Sequence, residues 1–166
     1  MRRSEAVALA AYNEWANRRL LSKATGIPQA KLKARAPLAH GSILACLLHM
    51  VDTQWYWREG AQFGDLPLDK LDLADFPTLA SLRRRSAEED RLLLAFVRGL
   101  SDRRLNGAVS YSWPRAYPRR RSLSHILLHI INHGTHHRSE VGRYMATLGN
   151  SPGDLDFITF VARKRI

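Results

Sequence analysis

The sequence is short of the residues that staple a chain and of one sign of charge. One cysteine, Cys46, stands among 166 residues, so an intramolecular disulfide framework is excluded and a reducing compartment suits the chain. Acidic residues number 15 against 26 lysines and arginines, a formal net charge of +11. No apolar run approaches the roughly 18 residues that a membrane-spanning helix needs. The longest, Ile43 to Leu48 and Leu92 to Val97, fit the core faces of helices. Arg2-Arg3 would suit an export signal, but Glu5 follows at once and no sustained apolar stretch or cleavage site appears. A cytoplasmic protein without membrane contact is expected.

What the chain does contain is ordinary for a folded domain: 45% hydrophobic and 25% charged residues. The length suits one domain over residues 1–166, with no repeat, low-complexity segment or linker. The positive excess gathers in Arg83-Arg84-Arg85, Arg103-Arg104, Arg119-Arg120-Arg121 and Arg163-Lys164-Arg165. Clusters of that kind suit nucleic acid or an acidic partner, yet no zinc-finger spacing or RNA-recognition aromatic pair accompanies them. Solvated arginine-rich faces of a basic protein are the favoured explanation.

Four segments carry helical periodicity. The first runs from Ser4, a suitable N-cap, to Thr25, where Gly26-Ile27-Pro28 stops it. The second starts near Ser42 and ends at Gly60, with Ile43, Leu44, Leu47, Leu48, Val51 and Trp55 in its stripe. The third follows Pro77 with Thr78 as cap, and its stripe is Leu79, Leu82, Leu93, Phe96, Val97 and Leu100. The fourth begins at Ser122 and ends at Gly149, a natural C′ residue. Gln29–His40, Asp65–Pro77 and Asp102–Arg121 read as loops, with Val109–Trp113 alternating as a short strand would. Residues 156–160 suit a short helix packing back. Four amphipathic helices of about 18 to 26 residues bury their stripes only together. An all-α four-helix bundle follows, with a short strand or irregular segment before the fourth helix.

Five of the seven histidines fall between His125 and His137 on that fourth helix. At 100° per residue, His137 lies within about 20° of the buried stripe's centre and His133 within about 60°. His129 sits at the edge, and His125 and His136 point outward. His133 and His137, at i and i+4, present two imidazoles one turn apart, the spacing by which a helix offers two nitrogens to one metal ion. Gly134 also falls in the stripe, where it leaves room for a bulky neighbour or ligand. On the second helix, His49 lies off the apolar stripe, on a line with Ser42, Ala45, Asp52 and Tyr56, and is the natural third ligand. Three neutral imidazoles with an open position describe a catalytic metal site. Cys46 reads as a small buried hydrophobe.

Three strings stand out: Tyr12-Asn13-Glu14-Trp15-Ala16-Asn17, Gly41-Ser42-Ile43 leading to His49, and His129 to Arg138 followed by Leu148-Gly149. In these the chain resembles the DinB family of damage-inducible proteins, the DinB/YfiT-like metalloenzymes. The resemblance extends over nearly the whole chain, to Asp156. It implies a four-helix bundle holding a divalent metal on one histidine of the second helix and two of the fourth, which fall on His49, His133 and His137. It further implies dimers and a fold similar to thiol-dependent transferases and isomerases. Arg138-Ser139-Glu140 departs from the family's Arg-Gly-Gln, and Arg119-Arg120-Arg121 makes the approach to the fourth helix unusually basic. Neither departure touches the proposed ligands.

The reading that follows is a metal-dependent enzyme, a thiol-dependent transferase or hydrolase-like protein. Zinc or nickel suits the site best; iron or manganese could occupy it. Glu89, on the apolar stripe of the third helix, and Glu140, one turn after His137, could orient a ligand imidazole or act as general base. Both could equally be neutralised by arginines, and Asp52 is a weaker choice of the same type. Arginines in 115–121 could hold carboxylates of a low-molecular-weight thiol or its acceptor. Two alternatives stand beside this reading: a non-catalytic basic bundle that binds nucleic acid or an acidic partner, and a metal kept only for stability. Trp55 and Trp57 lie about 160° apart around the second helix, more than one core can cover, so a two-fold homodimer is expected.

Overall fold

The computed structural model describes residues 1–64, 66–112 and 118–164. Its elements, in chain order, are α1 (Arg3–Ala24), α2 (Gln29–Lys33), α3 (Ile43–Phe63), α4 (Leu79–Arg98), α5 (Asp102–Asn106), β1 (Ala108–Ser112), β2 (Pro118–Ser122), α6 (Leu123–Thr147) and α7 (Phe157–Lys164). The long helices α1, α3, α4 and α6 form the bundle that the four periodic segments predict. No helix among the described residues is long and apolar enough to cross a membrane.

Capping chemistry sets most helix ends. The side chains of Ser42, Thr78 and Ser122 accept the backbone N–H groups of Ala45, Ser81 and His125, each three residues on. Ser4 is not a cap: α1 starts one residue earlier, and the Glu5 carboxylate accepts the Arg2 N–H. Nor does Gly60 end α3. It is buried inside the helix, and α3 stops at Gly64, whose φ of 93° is the left-handed conformation glycine adopts freely. The α2 and α5 turns occupy segments expected to be loops. The strand expected at Val109–Trp113 appears as β1 and pairs antiparallel with β2, Val109 opposite Arg121; Trp113 and Arg115 lie outside the described residues.

Helix α1 packs on α4 and α6, and α3 packs on the same two, so α1 and α3 face each other across a diagonal. Leu20, Leu21 and Ala24 of α1 share one core cluster with the starts of α3 and α4 and with Val141 and Met145. Ala6 and Ala10 share the other with Leu93, Val97, Leu123 and Ile126. Helices α3 and α4 therefore run the same way. The segment from Leu66 to Thr78 leads back to the start of α4, and on its way the Leu71 N–H donates to Asp52 at 2.9 Å. Helix α7 seats Phe160 against Tyr12, Trp15 and Ile131.

Both tryptophans of α3 find cover within one chain. Arg85 lies over the Trp55 ring at 5.9 Å, and Trp57 is wedged between Tyr111 of β1 and His129, at 5.3 and 5.2 Å. The hairpin thus supplies the second surface that α3 requires.

Candidate metal centre

Where α3 faces α6, four imidazoles converge. His49 Nε2 lies 3.0 Å from His133 Nε2, and the His133 and His137 rings are 4.5 Å apart. His40, which the sequence reading passed over, stacks on His49 at 3.8 Å and stands 5.5 Å from His137. One nitrogen from each of His40, His49 and His137 lies within 4.8 Å of the others. The sequence signal for His40 is its place two residues before the Ser42 cap, which starts the helix carrying His49.

Burial, reinforced by the His40 and His137 rings, pushes the His49 imidazole down to about 4. Burial, with His137 and His49, pushes His133 down to about 3. Both rings are therefore neutral at neutral pH and each keeps a lone pair, the form in which imidazole binds a metal. Two nitrogens each about 2.0–2.1 Å from a tetrahedral ion stand roughly 3.3 Å apart. The His49–His133 separation is close to that, so this donor set fits a divalent cation.

Glu140 secures the cluster. Its carboxylate meets His137 Nδ1 at 3.1 Å and accepts the Ala39 N–H at 2.5 Å. Partial burial alone would raise its pKa; the Ala39 and His137 hydrogen bonds outweigh that and hold it below the usual range. An ionised carboxylate makes Nδ1 the donor and leaves His137 Nε2 its lone pair, the arrangement by which carboxylates orient metal-binding histidines. The departure at Glu140 thus does touch a proposed ligand. His125 and His136 are exposed, as the helical phase predicts, although the His136 ring lies 4.9 Å from His137 and groups with it and Glu140.

Glu89 is not brought to the histidines. It is fully buried, clasped by Arg58 through Nε at 2.5 Å and Nη2 at 3.0 Å, with Arg85 at 3.3 Å. Its partners are arginines, a buried ion pair that ties α3 to α4. Asp52 is closer to the cluster: buried, its carboxyl raised by that burial, it lines a cleft of about 410 Å³ with His40, His49, Lys70 and Leu71. Arg119, Arg120 and Arg121 are exposed on β2, and no contact joins them to the histidines among the described residues.

A second polar centre escaped the sequence reading. Arg138 is 2% exposed and donates to Asn13 at 2.7 Å and Asn17 at 2.8 Å on α1, and to Thr135 at 2.9 Å. Asn13, Asn17 and Gln54 all donate to one oxygen of Asp90 on α4. All four bundle helices meet in this network, behind the histidines. A Cβ at Gly134 would fall 2.7 Å from Arg138 Nη1, so the bulky neighbour for which Gly134 makes room is this arginine.

The DinB family model matches residues 1–164. The chain belongs to the DinB family. Comparison with curated proteins gave no match. For this DinB protein the family match and the histidine cluster together support metal binding.

Proposed function

We propose that this DinB protein is a metal-dependent enzyme, a thiol-dependent transferase or hydrolase-like catalyst, with His49, His133 and His137 as ligands. The observation that carries the reading is the convergence of the His49, His133 and His137 rings beside a cleft that His49 lines. These imidazoles would hold a divalent ion, whose chemistry there would be to lower the pKa of a bound water or thiol and so supply a nucleophile near neutral pH. The chain's own residues do the rest. Glu140 fixes the His137 tautomer, Asp52 offers a carboxyl on the cleft wall to hold a proton, and Lys70 offers an ammonium to an anionic substrate group. Zinc and nickel fit the nitrogen donors best.

Elemental analysis of protein never exposed to a nickel column should find close to one divalent ion per chain. Equal trace metal in wild type and in a His133→Ala, His137→Ala double mutant would sink the reading. Calorimetric titration with low-molecular-weight thiols should then show binding that needs both the metal and His49.

A second reading has its own observation. Arg103, Arg104, Arg119, Arg120 and Arg121 are exposed at the hairpin end, and none forms an ion pair among the described residues. That end suits a polyanion such as nucleic acid. Binding there would weaken steeply with salt and ignore the metal.

A further inference from the structure

The histidine that the sequence reading passed over differs from the other three in what carries it. His49, His133 and His137 stand on α3 and α6, whose backbones are locked into the bundle, whereas His40 stands on the exposed loop between α2 and α3. Resting on the metal-dependent reading above, we propose that His40 is a fourth, exchangeable ligand that closes the coordination sphere from this loop.

Geometry carries the proposal. The His40 ring stacks on His49 with centroids 3.8 Å apart, and one nitrogen each of His40, His49 and His137 already falls within a 4.8 Å circle. His133 meets this group through its Nε2, 3.0 Å from His49 Nε2, so the loop-borne nitrogen of His40 already stands among the donors. The loop is built to hold it there. The Ala36 N–H donates to the Gly41 carbonyl and the Gly41 N–H to the Leu38 carbonyl, both at 2.8 Å, closing a tight turn that needs the positive φ of Gly41. The Ala39 N–H is anchored on Glu140, the carboxylate that also orients His137. One side chain therefore sets both the loop-borne and a helix-borne imidazole.

The position of His40 gives the contact a purpose. It also lines the cleft, together with Lys70 and Leu71. Of the two histidines that line this cleft, His40 is exposed and His49 half-buried. An exposed loop side chain swings aside by rotation about its own bonds, while the half-buried or buried helix-borne imidazoles have packed neighbours to displace first. Departure of His40 would open one position to substrate; its return would shield the centre from adventitious ligands.

The test uses the full chain, stripped with a chelator and reloaded with Co²⁺, whose visible bands are intense in a four-coordinate nitrogen site and weak once water expands the coordination. Wild type should give the intense spectrum. His40→Ala should lose most of that intensity and bind Co²⁺ about 10-fold or more weakly, the range supporting contacts already command. Added imidazole should restore the bands in His40→Ala and leave wild type unchanged, with His125→Ala as the control that behaves like wild type. A His40→Ala spectrum and affinity equal to wild type, indifferent to imidazole, overturns the fourth ligand while leaving the three-histidine site standing. Failure of wild type to take up Co²⁺ overturns both.

Discussion

Gly134 and Arg138 show how much one side chain can demand of its neighbours. Arg138 is held by two amide oxygens and a hydroxyl, so it cannot step back from a methyl group placed 2.7 Å from Nη1. Gly134→Ala should cost about 1–3 kcal/mol of unfolding free energy, the range for forcing extra atoms into a packed core. A denaturant melt within error of wild type would contradict this. Asp90 gives a pH signature. Burial raises its carboxyl to about 6 against the donors Gln54 and Asn17; Glu14 on α1 adds to the rise and Arg138 on α6 opposes it. The folded state then binds more protons than the unfolded one between about 4 and 6. Its contribution is complete at the acid side of that window and is lost as pH rises through 6. Asn supplies the same carbonyl oxygen to the three amides, so Asp90→Asn should remove a fall on the order of 3 kcal/mol across that window. Parallel slopes for the two proteins in urea melts at pH 4 and 7.5 would refute it. The arginine was legible in principle: Arg138 stands four residues after Gly134 and three before Val141, on the buried line of α6. The expectation that arginine is exposed hides that signal, because only a partner network from three other helices makes burial tolerable.

At the scale of elements, α6 is two tools on one rod. One face turns His133 and His137 to α3, and the other turns Gly134 and Arg138 to α1. His133→Ala should therefore abolish metal uptake without unfolding the chain, while His125→Ala on the exposed face leaves it intact, as equilibrium dialysis with Zn²⁺ would record. Equal losses would mean that the phase of the helix is misassigned. The long helices and three of their caps are readable because Ser42, Thr78 and Ser122 each precede a periodic apolar stripe. The β2 strand is not readable, since Pro118-Arg119-Arg120-Arg121-Ser122 has no alternation and gains its structure from pairing with β1. Glu89 was readable only as a charge in need of a partner; the sequence could not choose between a histidine and Arg58, because that choice depends on α3 and α4 running the same way. His40 escaped because a loop has no period from which to infer direction.

For the whole molecule, the hairpin's cover over Trp57 removes the need for a second copy at that point, so a two-fold dimer would instead draw on Phe63 and Leu68, 65% and 86% exposed. Sedimentation at micromolar concentration should give twice the chain mass, falling to one in Leu68→Asp; a monomeric wild type would count against the dimer. The diagonal placement of α1 and α3, and of α4 and α6, reaches further. Cut the chain after Lys70 and the first piece holds α1 and α3, the second α4 and α6. Within either piece the two long helices meet across the bundle's diagonal, as in the Asn13–Gln54 hydrogen bond, while their close packing partners lie in the other piece. During synthesis the first half therefore waits, its apolar stripes unsatisfied, until the second half emerges. Separately produced, residues 1–70 and 71–166 should each show little helix by circular dichroism, and mixing them should restore both the helices and metal uptake, since His40 and His49 travel with one piece and His133 and His137 with the other.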